Sequence, residues 1–476
     1  MNTKINFKKI SLIVILGYIL CSVAFYYIAG DQIKFGKSDS SIENEISDKP
    51  IGSILANAVI EQRFTVDSDY ISKIGIKVAT YARQNEGNLY IRLINLEDNS
   101  NLFSEKVDVS NFKDNSEVYL HLKEKISNIK NKELSLIISS DINDENKAPT
   151  IYIGENNLFE PVIINGNIQN ETLTFSVECS DKLWFGENYW TIFIIGLVLI
   201  ISYLINLYLK NKNLKYSIGL NTIYVCKKYK FLLQQLVQRD FKTKYKRSML
   251  GVLWSFLNPL LTMIVQYVVF STIFKSDIEN FPVYLLTGVV IFNFFTESCG
   301  MGLMSIVGNS SLITKVYMPK YIYPVSRVFS SVINLLLSLI PLLIVMIITK
   351  TQFKISILLV VFGVFCTIIF CIGMSLLLSS MMVFFRDTQF LWNVVSLLWM
   401  YATPLFYPES IIPNKFALVL DLNPMYHYIK FIRTCILNGV SPEPKEYLIC
   451  IIFSLLMLIF GSLVFRKSQD KFVLNL

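Results

Sequence analysis

The chain has 476 residues, 53% of them hydrophobic and 17% charged, with a mean hydropathy of +0.47; since about a quarter of a soluble protein is charged, a single soluble domain is excluded. Its net charge of +8 is unevenly spread: residues 31–190 carry 16 basic and 26 acidic side chains, a balance of −10, and the rest carries 28 and 10, a balance of +18. That division offers no coherent basic surface, so no nucleic-acid partner is expected.

The first uncharged apolar run, 10–29, can cross a ~30 Å hydrocarbon core, which takes about 20 helical residues. Lys4, Lys8 and Lys9 precede it. Basic flanks stay in the cytoplasm, so 1–30 reads as a transmembrane helix with its N-terminus inside. Residues 31–55, acidic and without a strong apolar run up to residue 50, have the composition of a flexible tether. From 56 to 182 the texture changes to short alternating stretches such as Arg63-Phe64-Thr65-Val66, Leu89-Tyr90-Ile91-Arg92-Leu93 and Leu134-Ser135-Leu136-Ile137-Ile138. Turn clusters of Asn, Asp, Gly and Ser separate them, the pattern of an antiparallel β-sandwich, placed outside the membrane by the preceding span.

A second run, 189–209, predicts a transmembrane helix over 186–210. Between 210 and 247, eleven Lys and Arg face one acid, Asp240, which marks 211–250 as cytoplasmic. Within that segment Tyr229, Leu232, Leu233, Leu236, Val237 and Phe241 recur at helical spacing. Residues 227–247 therefore predict an amphipathic helix on the membrane surface; a solvated flank that only sets topology is the alternative. Residues 251–476 hold six further runs, at 251–274, 281–303, 328–349, 355–385, 388–408 and 447–465, with Glu297 the one acid inside them. The expected fold is thus a mainly α-helical polytopic membrane protein with eight transmembrane helices and an inserted all-β sandwich. Parity puts both termini inside, with Lys315, Lys320 and Arg327 on one inner loop and Arg466, Lys467 and Lys471 on the inner tail. The loop holding Lys350 and Lys354 runs against that trend.

No catalytic residue or metal site is legible. Eight cysteines without framework spacing, and only His121 and His427, suit neither a zinc site nor a Ser/His triad. Gly36-Lys37-Ser38 resembles the end of a phosphate-binding loop, but Gly30 is one residue too distant to open it. A buried intramembrane carboxylate such as Glu297 faces a bundle interior or a wet cavity, which leaves a substrate channel or a helix-packing contact. Trp392, Trp399, Tyr401, Phe406, Tyr407, Tyr426 and Tyr428 gather near the outer half of the last two spans. Aromatic rings with polar tips suit a saccharide path, and an interfacial aromatic belt is the plain alternative.

The run from Arg239-Asp240-Phe241 through Lys244-Tyr245 to Gly251-Val252-Leu253-Trp254, followed by Asn258-Pro259-Leu260, resembles the start of the permease subunit of bacterial polysaccharide ABC exporters. Asn309-Ser310-Ser311-Leu312-Ile313-Thr314-Lys315 with Met318-Pro319, Phe385-Arg386-Asp387, Pro404-Leu405-Phe406-Tyr407-Pro408 and Asn423-Pro424 are similar to the same family and in the same order. The resemblance implies the transmembrane subunit of an ABC-2 type exporter of O-antigen, capsule or teichoic-acid polymers in a bacterial plasma membrane. It further implies a homodimer moving a lipid-linked polysaccharide outward, by alternating access or stepwise extrusion. The chain would carry no cofactor, ATP and Mg being bound by a separate ATPase subunit. Docking on that ATPase would fall to Arg239, Asp240, Lys244 and Tyr245 on the surface helix, and to Asn309, Lys315, Tyr317, Pro319 and Lys320 in a short coupling segment.

The stretch Gln62 to Leu93 resembles, more loosely, jelly-roll modules of cell-surface glycan enzymes. That implies glycan binding through Tyr81, Arg83 and Tyr90, with a structural cap as the alternative. A permease for a drug or small lipid, and a membrane-anchored glycan receptor without transport, are the rival functions.

Overall fold

The computed structural model describes residues 7–120, 122, 125–156, 158–213, 217–245, 251, 253–274, 280–315 and 318–475. They form two compact units, one of residues 34–188 and one of the N-terminal helix together with residues 189 onward.

The first unit is two antiparallel sheets around one core. In one sheet the order is Asn167–Ile168, Ile163–Ile164, Val59–Thr65, Glu133–Ser140, Asn88–Asn95 and Ser100–Asp108. In the other, Phe35–Lys37, Phe175–Lys182, Tyr70–Ala79, Thr150–Gly154 and Thr172–Leu173 follow one another. Period-two alternation decides which side chains go inward. Ile60 and Phe64 from Val59–Thr65, Leu89, Ile91 and Leu93 from Asn88–Asn95, and Leu134, Leu136 and Ile138 from Glu133–Ser140 meet Ile74, Ile76, Phe175 and Val177 of the other sheet. Gln62 is wholly buried, and its amide bridges the layers: Nε2 donates to the Arg63 and Glu160 carbonyls, and Oε1 accepts from the Leu173 amide at 2.9 Å.

Residues 31–55 are not a tether. Phe35–Lys37 pairs with Phe175–Lys182, Ile42–Glu43 with the same strand, and Lys49–Pro50 with Thr150–Gly154. Buried Asn44 donates to Leu173 O at 2.6 Å, and Ile54 lies in the core. The acids in this segment point outward while its backbone completes the sheet, and composition reports only the former.

The second unit is helical. Among the described residues six helices are long and apolar enough to span a membrane: Phe7–Ile33, Tyr189–Lys212, Phe281–Leu303, Ile322–Ile348, Ile355–Phe384 and Pro444–Asn475. Eight were expected. In the 251–274 run, which forms the helix Leu253–Phe274, the apolar stretch among the described residues is the shorter Phe256–Phe270. The 388–408 run stops as the 15-residue helix Thr388–Ala402, only about 22 Å long at ~1.5 Å per residue. Hydropathy alone cannot see that stop. It comes from extended backbone at Thr403 followed by Pro404 and Pro408, residues that cannot continue a helix.

Phe281–Leu303 is the centre of this unit, with 72% of its apolar stretch buried against 6% in each of the first two helices. Those two pair with each other: Tyr18 stacks on Phe193 at 5.5 Å, and the Tyr189 hydroxyl donates to Ser22 O at 2.6 Å. The helices Val360–Phe384 and Pro444–Ser468 cross at two glycines. A Cβ on Gly461 would lie 2.0 Å from the Gly373 carbonyl oxygen, so only glycine permits this approach.

Candidate functional site

The surface helix runs over Ile218–Tyr245. Leu236 is buried, and Tyr229, Leu232 and Leu233 are half-buried, against a cluster that includes Ile306, Ile313, Tyr323, Val383, Phe465 and Phe472. Its apolar stripe thus packs on the bundle, and this sets the azimuth of the polar residues that follow.

Three charged contacts close the same joint. Asp240, with a side chain only 4% exposed, accepts from Arg239 Nη2 at 3.1 Å, and its Oδ2 meets Arg327 Nη1 of Ile322–Ile348 at 3.0 Å as a charge contact rather than an aligned hydrogen bond. Arg239 Nη2 also donates to Asn309 Oδ1 at 3.3 Å, and buried Asn309 donates to Ser305 O at 2.7 Å. A turn further along, Lys244 Nζ lies 2.6 Å from Glu297 Oε1, which accepts from Asn334 Nδ2 at 2.7 Å. Three helices and the Val307–Asn309 turn are thereby fastened around a cavity of about 540 Å³. Arg239, Lys244 and Arg327 against Asp240 and Glu297 leave its wall with one excess positive charge.

The residues expected to dock an ATPase and the acid expected in a channel therefore share one site. Glu297 is a partner of the surface helix, and Asp240 is an internal tie rather than an open docking surface. Lys315 is exposed at the end of the short helix Ser310–Lys315. Lys320 Nζ donates to Gln469 O at 2.5 Å, joining that loop to the C-terminal segment, and Pro319 is half-buried beside it. Tyr317 and the side chain of Tyr245 lie outside the described residues. Of the residues that complete the joint, Arg327 reads in the sequence only as a topology signal and Asn334 is not singled out. Their signal was available: polar side chains seven apart on an apolar helix lie on one face.

The aromatic group does not line an open path. Trp392, Phe406, Tyr426 and Tyr428 are buried. Trp392 and Trp399 abut Phe295 edge-on, Phe406 stacks on Phe270, and the Tyr428 hydroxyl is 2.7 Å from Ser454 Oγ. Trp399 Nε1 donates to Asn423 Oδ1 at 2.8 Å. Tyr407 donates to Tyr401 O, and Tyr401 alone of the seven is well exposed. The inward rings sit where helix periodicity puts core residues, which span-level counting does not distinguish from a lumen.

A second polar joint lies on the short helix Pro424–Arg433, which Asn423 caps through its side chain. Buried Arg433 donates to the carbonyls of Tyr284, Pro404 and Leu405 at 2.7 to 3.2 Å, with its guanidinium 3.4 Å from the Tyr284 ring centroid. The neighbouring His427 bridges Glu446 Oε2 at 3.1 Å and Asp421 O at 2.9 Å. Neither Arg433 nor His427 was chosen from the sequence, since a lone basic residue beside a span reads there as a topology signal.

In the β unit, Tyr81, Arg83 and Tyr90 belong to neighbouring parts of one end. Arg83 Nη1 donates to Glu145 O at 3.0 Å, and the Tyr90 hydroxyl donates to Asp141 Oδ2 at 3.2 Å. The Asn88 side chain and backbone amide, donating to Asp141, hold that carboxyl below the usual range.

With this geometry in view, comparison with known proteins is informative. The ABC-2 type transporter family model matches residues 232–437, from the surface helix to just beyond Pro424–Arg433. Over 247 residues the chain is 32% identical to the O-antigen export system permease protein RfbA of Myxococcus xanthus, covering 51% of this chain and 95% of that protein. It is 30% identical to the protein of that name from Klebsiella pneumoniae, covering 51% and 93%. The polysialic acid transport protein KpsM of Escherichia coli is 24% identical over 251 residues, covering 51% and 95%. The clasping residues of the surface helix from 232 onward, the central Phe281–Leu303 span and the capped polar helix fall inside the family match, and nearly the whole of each relative is covered: the chain belongs to the ABC-2 type transporter family of membrane permeases.

Proposed function

We propose that this permease is the transmembrane subunit of an ATP-driven exporter that carries a lipid-linked cell-surface polysaccharide out of the cytoplasm. It works as a homodimer with two copies of a separate ATPase, in a bacterial plasma membrane. The observation that carries the reading is the joint at Asp240, Arg327, Lys244 and Glu297, which ties an amphipathic helix to two spans and to the loop bearing exposed Lys315. A permease without a nucleotide site needs such a rigid polar element, because force from a partner must reach the spans without being lost in a loose loop.

Topology supports the same reading. Phe7 packs with Leu207 and Leu220 at the start of the surface helix, Arg239 reaches Asn309, and Lys320 reaches Gln469. The N-terminal helix start, the basic linker, the loop after Leu303 and the C-terminal segment therefore share one end of the helical unit. Their positive charge supports a cytoplasmic place for that end.

The test is co-expression with the cognate ATPase in cells lacking the chain. Surface polysaccharide should appear with the intact pair and accumulate inside when the ATPase is catalytically dead. Hydrophobic-drug efflux without surface polymer would instead favour a drug or small-lipid permease, and an unchanged surface polymer in the deletion strain would refute export.

A further inference from the structure

At one end of the β unit the chain adopts a conformation that its residues disfavour. Tyr81 and Ala82 are consecutive non-glycine residues in the left-handed region, at φ 56° and 55°. Such residues cost energy unless their surroundings fix them, and they concentrate where a side chain must be presented. The turn is fixed from both sides. The Thr80 amide and hydroxyl donate to Asp114 Oδ1 at 2.7 and 3.1 Å, and the Arg83 amide donates to Thr80 O at 3.1 Å. What this arrangement presents is the Tyr81 ring, 39% exposed, with the Arg83 guanidinium 5.0 Å from its centroid.

The turn leads directly into a second aromatic position. Gly87 packs so closely on the neighbouring loop that a Cβ there would meet Ile142 at 2.5 Å and Asp141 Oδ1 at 3.2 Å. Three residues on, Tyr90 is 36% exposed, and its hydroxyl is held by Asp141, which also binds Asn88. The turn and the strand start that follows it thus carry two outward tyrosines, Tyr81 beside the Arg83 guanidinium and Tyr90 beside Lys106 Nζ at 5.7 Å, the Asp141 carboxylate and the Asn88 amide. Pyranose rings have an apolar C–H face, which suits an aromatic platform, and ring hydroxyls, which suit planar polar groups able to donate and accept in pairs. Asp114 and the Glu145 carbonyl hold the Tyr81–Arg83 turn, and Asp141 holds Asn88 and Tyr90.

We infer that this loop end is a saccharide-binding site, with Tyr81 and Tyr90 as stacking platforms and Arg83 and Asp141 as hydroxyl partners. The site is independent of the export reading, since it would bind a pyranose whatever the helical unit transports. The test uses the full-length chain in nanodiscs on an array of bacterial cell-surface oligosaccharides, followed by titration with the strongest binder. Tyr81→Gly separates function from folding, because glycine adopts positive φ freely. That variant should keep or raise the thermal midpoint of the β unit and weaken binding at least tenfold, and Tyr90→Ala should weaken it similarly. If no array saccharide is retained, or if both variants bind as tightly as the unaltered chain, the inference is overturned.

Discussion

Removal of Arg327 separates the two halves of the charged joint. Arg327→Met keeps the aliphatic bulk in Ile322–Ile348 but leaves Asp240, 4% exposed, with the half-exposed Arg239 as its charged partner among the described residues. Breaking a buried pair costs about 3–5 kcal/mol; with Arg239 still at 3.1 Å, we expect about 2–3 kcal/mol, or roughly 30- to 150-fold in the docked population of the surface helix. Lys244→Met acts on a pair 45% and 28% exposed. There solvent screening holds the cost to about 1 kcal/mol or less, no more than roughly fivefold. Adding Asp240→Asn to Arg327→Met removes the stranded charge and should recover much of the loss. Hydrogen exchange of the Ile218–Tyr245 amides in nanodiscs reads the docked population directly. The reasoning is refuted if Arg327→Met lowers protection no more than Lys244→Met, or if the double variant is less protected than Arg327→Met.

Three further outcomes follow from the structure. Gly461→Ala forces its Cβ against the Gly373 carbonyl, so the two helices must part at a cost of about 1–3 kcal/mol; an unchanged thermal midpoint in detergent would contradict that crossing. Arg433→Lys keeps the charge but cannot reach the carbonyls of Tyr284, Pro404 and Leu405 together. About 2–3 kcal/mol should be lost, visible as increased proteolysis of the 403–424 segment. In the β unit, the Thr80 amide above all holds Asp114 below the usual carboxylate range, and Asn88 does so for Asp141. A depressed folded-state pKa stabilises fully above the unfolded value of about 4 and is lost as pH falls through the folded one. The unit's thermal midpoint should therefore drop below about pH 4, and Asp114→Asn should flatten that drop; equal pH dependence in both would argue against the Asp114 contact.

The elements most legible in the sequence were those whose signal is local. The apolar run at 189–209, the amphipathic stretch beginning at Tyr229 and the alternation around Leu134–Ile138 all became the expected element types, because burial on one face leaves a period that can be read directly. The segment 31–55 was illegible for the converse reason. Its strands are only two or three residues long and its few core side chains, such as Ile42 and Ile54, form no readable period, and pairing with Phe175–Lys182 lies more than a hundred residues away in sequence. The 388–408 run failed at a single point, where prolines end a helix that hydropathy continues.

By itself, then, the sequence determined the class of this protein: a basic, helical membrane body, an acidic β unit between its first two spans, and ordered motifs resembling those of polysaccharide export permeases. Charge and hydropathy sum over local windows, so they survive without a structure. Only tertiary structure decided what Glu297, Asp240 and Arg327 do, since each reads alone as a charge to be explained, and in the fold Glu297 pairs with Lys244 while Asp240 pairs with Arg327 across three helices. It likewise moved Trp392, Phe406 and Tyr428 from an expected path into the core, and set Tyr81 outward on a left-handed turn. Which face of an element meets which neighbour is fixed by packing over long separations, and no local pattern carries that information.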